Sequence, residues 1–192
     1  MHTRSPLRKR YLVIATTVAI FLIGWISILV RYGPETVVEF IGVENAYLAT
    51  LLLAATGGLS SLTAGPFYAT LATFAAGGVD PYLLGIIAGI GISIGDSLFF
   101  VLGRRGLTQT RLNNNPFVAR LRAWLERAPQ WTVPLTAFVY TSATPFPNDV
   151  LMVSLGLLRQ YYWLIIPFVL AGNILHTTII TTGASVLPEW LL

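Results

Sequence analysis

Residues 46–79 contain no charged side chain. That length fits neither ordinary solution for an apolar run. One membrane-crossing helix needs about 20–25 residues, and two full spans with a turn need more than about 40. The middle of the run holds Gly57-Gly58 and Gly65-Pro66, which interrupt helices, beside Ser61 and Thr63. A re-entrant hairpin solves the length problem: one half-helix enters, the chain breaks near the midplane, and a second half-helix leaves. Irregular backbone at that depth is tolerated only when buried in protein or lining a wet cavity. The same design recurs at 131–158. Asp149 is the sole charge there, and the run is interrupted by Thr141-Ser142-Ala143-Thr144-Pro145-Phe146-Pro147-Asn148-Asp149.

Composition agrees with a membrane chain. It is 55% hydrophobic and 10% charged, where a soluble domain carries roughly 25% charged residues. The expected fold is an all-α integral membrane protein of one compact membrane domain. Cysteine is absent, which excludes disulfides and thiolate metal sites. The net charge of +4 bears on topology and not on nucleic-acid binding.

Residues 1–30 combine a basic flank (Arg4, Arg8, Lys9, Arg10) with an uncharged run, Tyr11 to Val30. We read this as a retained N-terminal transmembrane helix and not a cleaved signal, with the flank in the cytoplasm. Residues 31–192 form the membrane domain proper. Glu35, Glu39 and Glu44 alternate with Val37, Val38, Phe40 and Ile41 in an interfacial helix or loop on the outer face. A hairpin at 46–79, a span at 82–103, a basic segment at 104–130, a hairpin at 131–158 and a span at 161–187 follow. In the span at 82–103, Gly85/Gly89 and Gly91/Gly95 have the small-xxx-small spacing of close helix contacts. In the basic segment, Phe117, Leu121, Trp124 and Leu125 recur at helical spacing between Arg120, Arg122 and Arg127. This predicts an amphipathic helix on the inner surface that attracts anionic lipid. With the N-terminus inside and the C-terminus outside, eleven of the twelve basic residues lie inside and only Arg31 does not. Glu35, Glu39, Glu44, Asp80 and Glu189 lie outside.

A shift of 79 residues overlays the two hairpin-plus-span units. Ala64 falls on Ala143, Pro66 on Pro145, Phe67 on Phe146, Gly77 on Gly156 and Tyr82 on Tyr161. The basic segment between them inverts the second unit, giving the inverted repeat common in transporters. Pro66 and Pro145 are expected to start the outgoing half-helices, with Gly65 and Thr144 as caps. Two helix N-termini converging on the midplane would favour an anion such as phosphate. Hydroxyls of Ser61, Thr63, Thr141, Ser142 and Thr144 would assist, with Asn148 and Asp149 beside them. Asp149 is expected about one turn into the second outgoing half-helix. Its role is either dipole stabilisation or that of an acid in a wet cavity. Asp96, inside a span, carries a site-organising or proton-linked role, because a central acid costs roughly 2.5–3.5 kcal/mol on insertion scales. Asn173 and His176 lie on the last span and are candidates to face the hairpins. No nucleophile–base pair, metal-ligand pattern or phosphate loop appears. A non-enzyme without cofactor or metal is expected.

Gly91-Ile92-Ser93-Ile94-Gly95-Asp96, followed by Phe99-Phe100-Val101-Leu102-Gly103-Arg104-Arg105-Gly106, resembles the glycine-rich segment of the DedA family, also called the VTT-domain or SNARE-associated Golgi protein family. Thr144-Pro145-Phe146-Pro147-Asn148-Asp149 through Gly156-Leu157 resembles its second motif. The resemblance covers about residues 35–185. It implies paired re-entrant hairpins in inverted repeats, a prokaryotic cell (inner) membrane, and lipid movement by a scramblase or a polyprenyl-phosphate flippase. Pro66, Gly95, Asp96, Pro145, Asp149 and Gly156 match motif positions. Two departures stand out. Phe67, Tyr68 and Ala69 follow Pro66 where many members carry an acid, and no Arg or Lys lies between Arg127 and Arg159. Both point to an uncoupled path with few charges. The leading expectation is therefore transport of phospholipid or polyprenyl-phosphate headgroups between the hairpins. A proton-coupled small-solute or ion carrier and a non-transporting membrane scaffold are the alternatives. Membrane lipids are the expected partners, nucleic acid is not, and a homo-oligomer is left open.

Overall fold

The computed structural model describes residues 6–57, 61–105, 116–125, 127, 129, 131–144 and 148–191. Helices account for almost all of them, and no strand forms among the described residues. In chain order they are α1 (Pro6–Ile41), α2 (Val43–Gly57), α3 (Ser61–Ala76), α4 (Pro81–Arg104), α5 (Pro116–Leu125), α6 (Thr132–Ala143), α7 (Asn148–Leu157) and α8 (Tyr162–Leu191). Among the described residues two helices are long and apolar enough to cross a membrane, Pro81–Arg104 and Tyr162–Val186, and the bent pair Arg31–Ile41 and Val43–Thr56 would make a third if it is one span. Length and composition thus make this a membrane protein.

The chain turns sharply where glycine permits it. Gly33 interrupts α1 with φ 77°, ψ 158°, immediately before Pro34. Gly42 has φ 85°, a left-handed conformation that costs a residue with Cβ roughly 1–2 kcal/mol. The helical axis bends by 96° there, between Arg31–Ile41 and Val43–Thr56. The glutamate-bearing stretch before α2 is therefore a short helix set across the next one.

The break in the first hairpin lies earlier than expected. It separates Gly57 from Ser61, and α3 runs unbroken through Gly65 and Pro66. Pro66 is the sixth residue of α3 and starts no helix. Helix α2 ends at Gly57, and Pro66 is accommodated inside α3. In the second unit α6 ends at Ala143 and α7 begins at Asn148, so Pro145 lies outside the described residues. The 79-residue offset consequently fails at the breaks, since Ala64 is inside α3 whereas Ala143 closes α6. The matched glycines differ as well, since Gly77 follows α3 whereas Gly156 is the ninth residue of α7. Tyr82 and Tyr161 sit at the starts of α4 and α8. The last helix also continues to Leu191, beyond the expected end at 187.

Helix α4 is the hub. Asp80 caps it, its side chain accepting from Leu83 N at 2.7 Å, and Pro81 fills the first position, where no N–H is needed. Its glycines then admit a different neighbour at each level. A Cβ on Gly85 would lie 2.6 Å from Thr178 Cα, and one on Gly89 2.6 Å from Ile174 Cα, both on α8. A Cβ on Gly91 would meet Ala54 and the Leu51 carbonyl of α2, and one on Gly103 would strike the backbone of Val153 in α7. As residue numbers rise along α4, their partners on α8 fall, so the two helices are antiparallel.

The shorter helices pack by one rule. In each unit the first arm lies on its own following helix: α2 on α4 and α6 on α8. The second arm lies on the long helix of the other unit: α3 on α8 and α7 on α4. Helix α1 packs on α3, where Trp25 Nε1 donates to Thr73 Oγ1 at 3.0 Å. Two apolar cores result. One gathers Val38, Ala54, Phe67, Leu71, Phe74, Leu84, Ala88 and Ile92. The other gathers Phe100, Val133, Ala137, Leu151, Met152, Leu155, Ile165 and Val169. Along α4 the two cores meet between Ile92 and Phe100, and that interval holds Ser93, Asp96 and Ser97.

Candidate functional site

The α4–α8 contact is a polar ladder inside an apolar bundle. At one end Thr181 Oγ1 donates to the Pro81 carbonyl at 2.7 Å, and Thr177 Oγ1 donates to the Gly85 carbonyl at 2.6 Å. The bare Gly85 backbone lets the Thr177 hydroxyl reach a carbonyl already used within its own helix. At the other end Tyr162 OH donates to Ser97 Oγ at 2.9 Å. Interhelical bonds of this kind average about 0.6 kcal/mol in membranes, so the ladder fixes register more than it supplies stability.

Between these rungs lies a four-residue cluster from three helices. Asn173 Nδ2, on α8, donates to Asp96 Oδ2 at 2.8 Å and to Ser93 Oγ at 3.0 Å, both on α4. Asn148, the first residue of α7, donates from Nδ2 to Asn173 Oδ1 at 3.0 Å and to Asp96 Oδ2 at 3.3 Å. Ser93 Oγ in turn donates to the Gly89 carbonyl at 2.8 Å. Asp96 is 1% exposed and Asn173 2%. The Asp96 partners are amides and not bases, and its Oδ1 is buried with no hydrogen-bond partner among the described residues. Asn173 is the twelfth residue of α8 and Asp96 the sixteenth of α4. Both lie well inside the segments able to cross a membrane.

The hydroxyls of the second break serve the backbone. Thr141 Oγ1 donates to the Ala137 carbonyl at 3.0 Å and Ser142 Oγ to the Val139 carbonyl at 3.3 Å. Thr144 was expected to cap the outgoing helix. Instead it closes the incoming one, its Oγ1 and N both donating to the Tyr140 carbonyl, at 2.6 and 3.1 Å. The physical reason is local. A helix that ends inside the bundle leaves carbonyls unsatisfied, and an unpaired backbone group at membrane depth costs several kcal/mol. The hydroxyls do not meet that need, because the Ala137, Val139 and Tyr140 carbonyls already accept backbone N–H groups; the hydroxyls bond back along their own helix. His176, half-buried on α8, takes one of the end carbonyls: its Nδ1 lies 3.2 Å from Ser142 O. Its ring also meets α3, edge-on to Tyr68 with 5.8 Å between centroids.

Asp149 lies in the first turn of α7, closer to the helix start than one full turn in. Its Oδ1 accepts from Val150 N at 2.8 Å, the position where an acid complements a helix N-terminus. Of the other expected ligands, Gly65 is exposed and Pro66 half-buried in α3, and neither joins the cluster. Thr63 is in α3, but its side chain, like Pro145, is outside the described residues. Helix α5 forms where the basic amphipathic helix was expected. Arg120 and Arg127 are exposed, and the Arg122 side chain is outside the described residues.

The structure thus brings together Asp96, Asn148 and Asn173, three residues picked out singly from the sequence. It adds Ser93, whose place three residues before Asp96 on one helix face was a readable signal. It also adds Tyr68 and the Ser97–Tyr162 pair, whose only cue is the presence of polar groups on apolar helices. Comparison with protein-family models, with curated proteins and with solved structures finds no match to this chain.

Proposed function

We propose that the protein moves a phosphate-bearing lipid headgroup, of a phospholipid or a polyprenyl phosphate, across the bilayer between two re-entrant hairpins while the tails stay in lipid. This is the activity implied by the resemblance to the DedA/VTT family. The observation that carries it is the position of the polar cluster. Asp96, Asn148 and Asn173 meet well inside the two long helices, at the point where α6 stops and α7 starts. Asn148, Asp149, Ser142 and His176 are all only half-buried there, so the layer has an accessible side.

The inverted-repeat reading draws support from the antiparallel α4 and α8 and from the reciprocal packing of the arms. In this arrangement the run at 11–30 is an additional N-terminal span, the N-terminus is cytoplasmic and the C-terminus is outside. Function requires no cofactor. The hydroxyls around the second break are committed to carbonyls, so amides, ring nitrogens and helix ends are the groups left for a headgroup.

A proton-coupled carrier is the second reading, favoured by Asp96 Oδ1, a carboxyl oxygen buried without a partner among the described residues. Both readings are tested in sealed vesicles containing the purified protein. Labelled lipids are followed first without any ion gradient and then with an imposed proton gradient. Gradient-free lipid movement supports the lipid path. Solute uptake that needs the gradient, with no lipid movement, supports the carrier and ends the first reading.

A further inference from the structure

The interior of this protein carries acids but almost no base. Residues 32–103, 128–158 and 160–192 contain no Lys or Arg, and His176 is their single histidine. It is therefore the one side chain within these apolar stretches able to carry positive charge. Its seat is also particular. His176 follows Asn173 by three residues on α8, so both lie on one face, about 4.5 Å apart along the axis. From α3 it is faced by Tyr68 and from α6 by the Ser142 carbonyl. The acids of the same layer are Asp96 on α4, tied to Asn173, and Asp149 at the start of α7. A carbonyl only accepts, so the ring hydrogen bonded to Ser142 O sits on Nδ1. In the neutral ring Nε2 is then an acceptor, and it becomes a donor to a second partner only when the ring is protonated.

We propose that His176 is the phosphate-contacting residue of the path, Nε2 donating to the phosphate of a passing headgroup, and that it makes the path selective for phosphate-bearing lipids. This rests on the lipid-path reading above. The chemistry is that of a charge-assisted hydrogen bond between an imidazolium and a phosphate oxygen. Half-burial of the ring strengthens such a bond by lowering the local dielectric. The bond to Ser142 O holds the ring at the end of α6, where the chain breaks. The edge contact with Tyr68 places it between the two units, where a headgroup moving between them passes.

The test compares three labelled lipids in sealed vesicles without gradients: a phosphatidylcholine, a polyprenyl phosphate and a glucosylceramide, whose sugar headgroup has no phosphate. His176→Gln keeps an N–H for Ser142 O but cannot carry charge. His176→Arg carries charge permanently. Wild type should move at least one phosphate lipid about 10-fold faster than the glucosylceramide, the size of one hydrogen bond to a charged group. His176→Gln, still monodisperse in detergent, should lose that preference while leaving the glucosylceramide rate unchanged. His176→Arg should restore it if it folds, and the Gln result decides if it does not. The two phosphate arms identify which lipid supplies the phosphate. Equal wild-type rates for all three lipids, or a Gln variant that keeps the preference, overturns the assignment of His176 while the lipid path stands. Wild type that moves no lipid ends the lipid path itself and this assignment with it.

Discussion

Placing a carboxyl group well inside a span costs roughly 2.5–3.5 kcal/mol on insertion scales, and at Asp96 neutral amides offset part of that cost. Asn173 does three things at once: it donates to Asp96 and to Ser93 and accepts from Asn148. Asn173→Leu would remove three bonds, leaving Asp96 and Asn148 only each other and Ser93 only the Gly89 carbonyl. Each lost bond costs about 0.5–1.5 kcal/mol, more at a charged group, so the variant should unfold at a clearly lower temperature in detergent, by tryptophan fluorescence. Asn173→Asp, which removes two donors and adds a second carboxyl beside Asp96, should be at least as damaging. An unchanged melting temperature in either would show that the cluster is not coupled to folding. At this scale the sequence is a partial guide. Asp96, Asn148 and Asn173 stand out because polar groups in apolar runs must find partners, but which partners they find depends on how three helices cross. The hydroxyls misled for the opposite reason. Thr141, Ser142 and Thr144 can bond either forward to a ligand or back to their own helix, and composition alone does not choose.

Helix α4 explains why this bundle needs glycine at particular places. Gly85 and Gly89 touch the backbone of α8, and Gly103 touches that of α7. A side chain at any of these sites meets backbone, which cannot rotate away. Gly89→Leu should therefore force α4 and α8 apart. Overpacking of this kind costs about 1–3 kcal/mol or more, and breaking the polar ladder adds to it. Gly24→Leu is the control, because nothing lies within 4 Å of a Cβ there. Thermal unfolding of the two variants should differ, and equal stability would contradict the close contact. The limits of α4 were legible from the apolar run between Asp80-Pro81 and Arg104, since capping and hydropathy act locally. The breaks were not. Gly57-Gly58 and Gly65-Pro66 are both helix-breaking pairs, yet α2 ends at Gly57 while α3 passes through Gly65 and Pro66. Proline inside a helix is tolerated where neighbouring groups re-satisfy the freed carbonyl, which for Pro66 is that of Leu62, four residues before it.

At the scale of the whole molecule, each unit lends its second arm to the other. An exchange of that kind ties the halves together and leaves the polar layer at their junction. If the units are inverted in the membrane, the ends of α4 face opposite sides. The chain has no cysteine, so single cysteines report cleanly. Glu44→Cys should react with an impermeant maleimide from outside intact cells, and Arg105→Cys only after the membrane is opened. Labelling of both from one side would contradict the topology. The charge distribution is the basis of this expected orientation, whereas the reciprocal packing of the arms appears only in three dimensions.

The central claim is that lipid passes along the layer built by Asp96, Asn148 and Asn173. Its most direct test is the rate of phospholipid translocation in sealed vesicles, without ion gradients, for wild type and for Asn148→Leu. Asn148 is the link from α7 to this layer, and its loss removes polar surface from the route without introducing charge. The account expects fast movement in wild type and a loss of at least about 10-fold in a folded Asn148→Leu, comparable to one lost bond to a charged group. Wild-type vesicles no faster than empty ones, or an Asn148→Leu protein as fast as wild type, would contradict it.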